Sequence, residues 1–120
     1  MTRRATTTEL RAQLLREANA VIEYDLAAEV RLGAVAQQLA TSRRQLQRCF
    51  REVGKTTFSG HVTALRMQRA ARLLERSPRP RVKEVARAVG YRQPAHFTKA
   101  FRTFHGVNPG EYVRSHNSPN

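Results

Sequence analysis

Residues 35–54 read VAQQLATSRRQLQRCFREVG, and residues 85–106 read VARAVGYRQPAHFTKAFRTFHG. The first stretch contains most of a short amphipathic pattern, Leu32, Val35, Ala36 and Leu39, which breaks at Ala40-Thr41-Ser42. The chain resumes with Ser42-Arg43-Arg44-Gln45, a capping box, and then places Leu46, Cys49, Phe50 and Val53 at i, i+3, i+4 and i+7 until Gly54 stops the run. This pattern predicts a short helix, a tight break and a longer helix with one apolar stripe. The second stretch predicts the same again. A shift of 50 residues lays Val35-Ala36 on Val85-Ala86, Leu39 on Val89 and Ala40 on Gly90. A shift of 51, after one extra residue in the turn, lays Leu46 on Phe97, Phe50 on Phe101, Arg51 on Arg102, Val53 on Phe104 and Val62 on Val113.

Two helices of this kind across a short break are the arrangement of a DNA-binding helix-turn-helix. A helical solenoid is the other source of a repeat this long, but it needs about three copies for a continuous core, and two are present. Upstream, Thr6-Thr7-Thr8-Glu9 is a second capping-box pattern, and Leu14, Leu15, Ala18, Val21 and Ile22 follow at helical spacing, predicting a helix over 8–25. Between the repeats, Thr56 or Thr57 opens the longest helix, which runs to Arg76 and is stopped by Ser77-Pro78. Phe58, Val62 and Leu65 lie on one side of it and Met67, Ala70, Ala71 and Leu74 roughly opposite, so its halves serve two packing partners. Arg79-Pro80-Arg81 connects it to the second unit.

The charge fits a polyanionic partner. Lys and Arg number 22 against 9 Asp and Glu, for a formal charge of +13 and a pI near 11.6, which puts nucleic acid first. The lone Cys49 excludes an internal disulfide and a thiolate-rich zinc site, and points to a reducing compartment, the cytoplasm. Met1-Thr2-Arg3-Arg4 lacks the apolar region that would make it an export signal, and no run approaches the roughly 18 apolar residues of a membrane helix. His61, His96, His105 and His116 have no metal-ligand spacing, so no metal or other cofactor is expected. No phosphate-binding Gly-rich loop, paired-acid site or activated nucleophile stands out, which predicts a non-enzyme. A membrane-active cationic amphipath is disfavoured by ordinary caps and narrow apolar stripes.

With Leu46, Cys49, Phe50 and Val53 turned inward, the opposite face of that helix carries Arg44, Arg48 and Arg51, flanked by Gln47. Arg bonds guanine O6 and N7 bidentately and Gln pairs with adenine, so Arg44, Gln47 and Arg48 are the strongest base-reading candidates, and Arg51 suits phosphate. The second helix, with Phe97, Ala100, Phe101 and Phe104 inward, presents Ala95, Lys99 and Arg102, with His96 and Thr98 on its flanks and Arg92 and Gln93 at its start. Ala95 replaces Arg44 and Lys99 replaces Arg48, a less directional charge, so the first unit is expected to discriminate bases more. The phenylalanines share one stripe and are expected in the core rather than as stacking platforms, as is the Cys49 thiol. Phosphate anchoring is expected from Lys55, His105, the helix start near Thr57 and the one at Asn108-Pro109. A linking helix of about 20 residues spans about 30 Å, close to the roughly 34 Å between major-groove segments on one face of B-DNA.

The chain resembles the AraC/XylS family of transcription regulators, specifically its DNA-binding domain. The resemblance rests on Ala86, Val89-Gly90-Tyr91, Phe97, Phe101-Arg102, Gly106, Asn108-Pro109 and Tyr112. In the first unit it rests on Ala36, Ser42-Arg43-Arg44, Leu46, Arg48, Phe50 and Gly54, and in the long helix on Leu65-Arg66 and residues 70–74. It covers about residues 8–114, departing where Val113 stands for a frequent Arg and where Pro94 opens the last recognition helix. The resemblance implies an all-α fold of seven helices, with helix-turn-helix subdomains at 8–55 and 80–115, a linking helix at 56–77 and a polar tail at 116–120. It also implies binding to asymmetric DNA sites as a monomer, often with bending, and adds RNA polymerase as a candidate partner. Base-reading is then expected of Arg43, Arg44, Gln47, Arg48, Arg92, Gln93, Ala95, His96, Thr98 and Lys99. Phosphate contact is expected of Thr41, Arg51, Lys55, Thr57, Arg102, His105 and Asn108.

The expected function is a bacterial, cytoplasmic, sequence-specific regulator that binds double-stranded DNA by inserting two recognition helices into successive major grooves and associates with the nucleoid when bound. The alternative is a nonspecific or architectural protein acting through charge alone. No small-molecule ligand is evident. The chain reads either as a stand-alone regulator or as one domain of a longer protein, with Met1 and the polar end at 115–120 favouring the former.

Overall fold

The structure, a computed structural model, describes residue 4 and residues 6–116. Residues 1–3, where most of the N-terminal basic motif falls, and 117–120 of the expected polar tail lie outside the described residues. Among the described residues there are seven helices and no strand. They are α1 (Thr7–Tyr24), α2 (Leu32–Gln38), α3 (Arg43–Glu52), α4 (Phe58–Leu74), α5 (Val82–Ala88), α6 (Pro94–His105) and α7 (Pro109–His116). None is long and apolar enough to cross a membrane.

The chain divides into two compact units, one of Met1–Asp25 with Val30–Val62 and the other of Leu26–Glu29 with Thr63–Asn120. In the first, the Thr6 capping box is complete: Thr6 Oγ1 accepts from Glu9 N (3.1 Å) and Thr6 N donates to Glu9 Oε2 (3.2 Å). The core comprises Ala18 and Ile22 of α1, Val35 and Ala36 of α2, Leu46, Cys49 and Phe50 of α3, and Val62 of α4. The Phe50 ring meets Phe58 edge-on at 5.5 Å and His61 at 4.9 Å. Burying a side chain of this size contributes roughly 1.5–3 kcal/mol, so the α3 stripe alone fixes which face of α3 is left to solvent. Cys49 is a buried thiol whose pKa is raised by burial, an effect opposed by Arg11 and aided by Glu52.

The second unit is built around Met67, Ala70 and Leu74 of α4, Val85, Ala86 and Val89, Phe97 and Phe101 of α6, and Val113 of α7. The two halves of α4 therefore contribute to different cores, as the wheel predicts. The Leu26–Glu29 turn joins this unit because Arg66 of α4 holds it. Arg66 Nε donates to the Leu26 carbonyl (3.3 Å) and Nη2 to that of Ala28 (3.1 Å), while the guanidinium carbon lies 5.9 Å from the centre of the Tyr91 ring.

Three local expectations are corrected. Phe104 is 43% exposed rather than part of the core stripe. The buried face of α6 is centred on Phe97 and Phe101, and the next inward position belongs to His105, whose ring lies tilted against Phe101 at 4.3 Å and leaves Phe104 outward. Gly54 does not end α3 through a left-handed conformation; Lys55 takes it, at φ 56°. Gly54 is needed for space instead, because a Cβ there would stand 2.9 Å from the Phe50 carbonyl oxygen and 3.6 Å from Leu15. At the start of α3 the Ser42 half of the expected box forms, Ser42 Oγ accepting from Gln45 N at 3.1 Å.

Candidate nucleic-acid interface

The break between α2 and α3 follows from one residue with positive φ. Leu39 N donates to Val35 O (3.0 Å), Ala40 N to Gln37 O (3.1 Å) and Thr41 N to Ala36 O (2.9 Å), with Ala40 at φ 55°. These bonds satisfy the last carbonyls of α2 and send the chain back at once, so that Ser42 caps α3. The apolar stripe of α3 is pinned into the core, and Arg44, Gln47, Arg48 and Arg51 are all exposed on the opposite side. Arg43 is also exposed, and its stem reaches back toward α2, where a Cβ on Gly33 would lie 3.4 Å from Arg43 Cδ. Arg48 Nε faces Glu52 Oε1 at 3.6 Å, and Glu52 Oε2 pairs with Arg11 Nη1 of α1.

In the second unit Val89 N, Gly90 N and Tyr91 N donate to Val85 O, Arg87 O and Ala86 O at 3.1, 3.1 and 2.9 Å, and Gly90 has φ 97°. Gln93 stands at the N-cap of α6 without a side-chain cap bond and Pro94 opens the helix, where it forfeits no helical hydrogen bond. Arg92, Gln93, Ala95, His96, Lys99 and Arg102 are exposed and Thr98 is half-buried. Along the helix this face carries one guanidinium, that of Arg102, against the four of Arg43, Arg44, Arg48 and Arg51 in α3.

The expected phosphate contacts divide. Arg51, Lys55 and Arg102 are exposed cations at or beyond the C-terminal ends of α3 and α6. Thr41 is half-buried, and the Thr57 hydroxyl accepts from Gly60 N at 3.0 Å, capping α4. The His105 ring turns inward, donating from Nε2 to the Met67 carbonyl (3.0 Å) and packing between Phe101 and Tyr112. The Asn108 side chain caps α7, accepting from Glu111 N (2.8 Å) and donating to the Glu111 carboxylate (2.8 Å), which puts negative charge at that helix start. No group of three or more His, Cys, Asp or Glu that could hold a metal occurs among the described residues.

Sequence reasoning missed Arg66 and Glu52. Arg66 entered only through the family resemblance, since nothing local says that an arginine just past the middle of the chain binds the carbonyls of residues 26 and 28. Glu52 carries a legible signal, being the lone acid of α3 one turn beyond Arg48.

A model of the helix-turn-helix domain matches residues 35–115. The chain is similar to the HTH-type transcriptional regulator GlxA of Rhizobium meliloti (strain 1021), at 38% identity over 81 residues, which cover 68% of this chain and 25% of GlxA. It spans between 25% and 33% of the length of the first curated relatives it matches. Among solved structures it is similar to a transcriptional regulator from Chromobacterium violaceum, one of the AraC-type DNA-binding domain-containing proteins, with TM-score 0.84 and 26% identity over 91% of this chain and 96% of that one. It is also similar to the DNA-binding domain of the global transcriptional factor AdpA, solved in complex with a target DNA, with TM-score 0.74 and 26% identity over 86% of this chain and 95% of that one. A family match running from α2 into α7, joined to superposition on an AraC-type domain over nearly the whole chain, places the protein: it belongs to the AraC-type helix-turn-helix family.

Proposed function

We propose that this chain is a sequence-specific double-stranded DNA-binding regulator of transcription, with α3 and α6 as the helices that enter successive major grooves. The observation that carries the reading is the face of α3: Arg44, Gln47, Arg48 and Arg51 stand exposed on the second helix of a helix-turn-helix whose other face is pinned by Leu46, Cys49 and Phe50. The AdpA domain, bound to its target DNA, supports it from outside. In this reading Arg43, Arg44, Gln47 and Arg48 read bases from α3, and Arg92, Gln93, Ala95, His96, Thr98 and Lys99 approach them from α6. Arg51, Lys55 and Arg102 meet phosphate, with Thr41 and Thr57 near the backbone. The role is one of binding rather than catalysis, exercised by one copy per site in the cytoplasm and nucleoid, with RNA polymerase as a further partner.

Selection from a random duplex library, followed by competition against bulk DNA as salt rises, tests this. A regulator retains its preferred duplex well after bulk DNA is released, because base contacts survive the loss of the counterion term. If no selected sequence outcompetes the rest, the chain binds through charge alone and the proposal fails.

A further inference from the structure

Glu52 is out of place by the usual rules. It is the one acidic residue of α3, it lies in the last turn, where the helix dipole disfavours a carboxylate, and it follows Arg48 by four residues, the less favourable order for such a pair. It also stands beside a face proposed to meet a polyanion. Arg48 and Glu52 are 47% and 45% exposed, so their ion pair contributes little to stability. The carboxylate is nevertheless held. Its Oε2 is taken by Arg11 from α1, and Oε1 is thereby turned to the Nε of Arg48. Nε is the one guanidinium nitrogen that is not needed when Arg grips the O6 and N7 of guanine with its terminal fork. The equivalent position of α6 offers nothing similar: Thr103 there bonds back to the Lys99 carbonyl at 2.9 Å.

We infer that Glu52 is a positioning residue for Arg48: anchored by Arg11, it holds the guanidinium by Nε so that the Nη1/Nη2 fork faces the base edge. The inference rests on the proposed reading of α3 as the base-reading helix. It makes Glu52 a determinant of specificity that opposes bulk affinity, since its charge repels every duplex while its geometry favours one base pair.

The test measures binding of the full chain to a selected duplex, its single-base-pair variants and bulk DNA. Glu52→Gln is expected to bind bulk DNA several-fold more tightly and to lose roughly 3- to 10-fold in discrimination at the base pair whose identity Arg48 reads, with other positions unchanged. Arg11→Gln keeps the carboxylate but removes its anchor; it is expected to lose discrimination at the same base pair while bulk affinity falls slightly. A uniform shift across all duplexes in both variants would reduce Glu52 to a charge and overturn the inference. Arg48→Ala separates the two levels. If it selectively relaxes one base pair while both other variants shift uniformly, positioning alone is wrong; if it too acts uniformly, the reading of α3 has failed and the inference with it.

Discussion

The two helix-turn-helix breaks use the same three hydrogen bonds, at nearly the same lengths, yet one bends at an alanine and the other at a glycine. Ala40 sits exposed at φ 55°, within the left-handed region an L residue reaches at modest cost. Gly90 sits at φ 97°, beyond that region, and a Cβ on it would lie 2.9–3.0 Å from the Arg66 guanidinium. The difference shows that the bend itself does not require glycine. At the second bend two things require it: a φ beyond the reach of an L residue, and the arginine laid over the bend, which also holds the Leu26–Glu29 turn and faces Tyr91.

The comparison is tested most severely at that glycine. Gly90→Ala is expected to destabilise the chain by about 1–3 kcal/mol, through backbone strain and displacement of an arginine held at several points. Thermal or denaturant unfolding measures it, and a cost no larger than a few tenths would show that Arg66 swings aside freely. Arg66→Ala in the Gly90→Ala background separates strain from collision, since only the collision is relieved.

The reading faces differ in the same direction. Arg48→Ala is expected to cost about 1–3 kcal/mol on the selected duplex and to relax one base pair. Lys99→Ala, at the equivalent position of α6, is expected to cost less than about 1 kcal/mol and to relax its base pair only weakly, since an ammonium lacks the paired donors that fit guanine. Equal, base-selective losses from both would make the two helices equivalent readers.

How much of this was legible in the sequence depends on how local the cause is. The helices, the repeat and the buried stripe of α3 are written in spacings of three and four residues, and there the spacing suffices. Phe104 obeyed the spacing and still faces solvent, because the inward place at that end of α6 belongs to His105, whose partner Met67 lies 38 residues away. His105 and Asn108 carry groups suited to phosphate, and the hydrogen bonds each makes within the chain become visible only when it is folded. Lys55 differs again: the rule that glycine takes the left-handed position at a helix end pointed to Gly54, and crowding by the Phe50 carbonyl and Leu15 gives that glycine another task.

Lys55 therefore offers a smaller test, alongside Ala40. Both are non-glycine residues with positive φ in the first unit, so Ala40→Gly and Lys55→Gly are each expected to stabilise by about 0.5–1 kcal/mol by relieving strain. They should part on DNA. Lys55→Gly is expected to weaken all duplexes alike and reduce the salt slope by about one, while Ala40→Gly leaves binding unchanged. If Lys55→Gly gains stability and keeps its full affinity, the lysine is not a phosphate contact.

The smallest effect comes from one more pair of equivalent positions. His61 lies against Phe50 at 4.9 Å as Tyr112 lies against Phe101 at 5.4 Å; His61 donates to Asn19 Oδ1 (2.8 Å) and Tyr112 to Glu75 (3.0 Å). Burial lowers the His61 pKa below the ordinary imidazole value of 6.5, opposed by Glu23, whereas burial and the Glu75 bond raise that of Tyr112 from 10.0. With the folded value depressed, the unfolded chain takes up the proton first as pH falls. The stability His61 contributes is thus complete above about pH 6.5 and is lost as pH drops through the lower folded value, while Tyr112 stays neutral throughout. Hydrogen exchange of α1 and α3 amides is expected to quicken between about pH 7 and pH 5 relative to α5 and α6, and His61→Gln, uncharged at every pH, is expected to abolish that difference. An unchanged pH response in His61→Gln would trace the acid sensitivity of the first unit to another group.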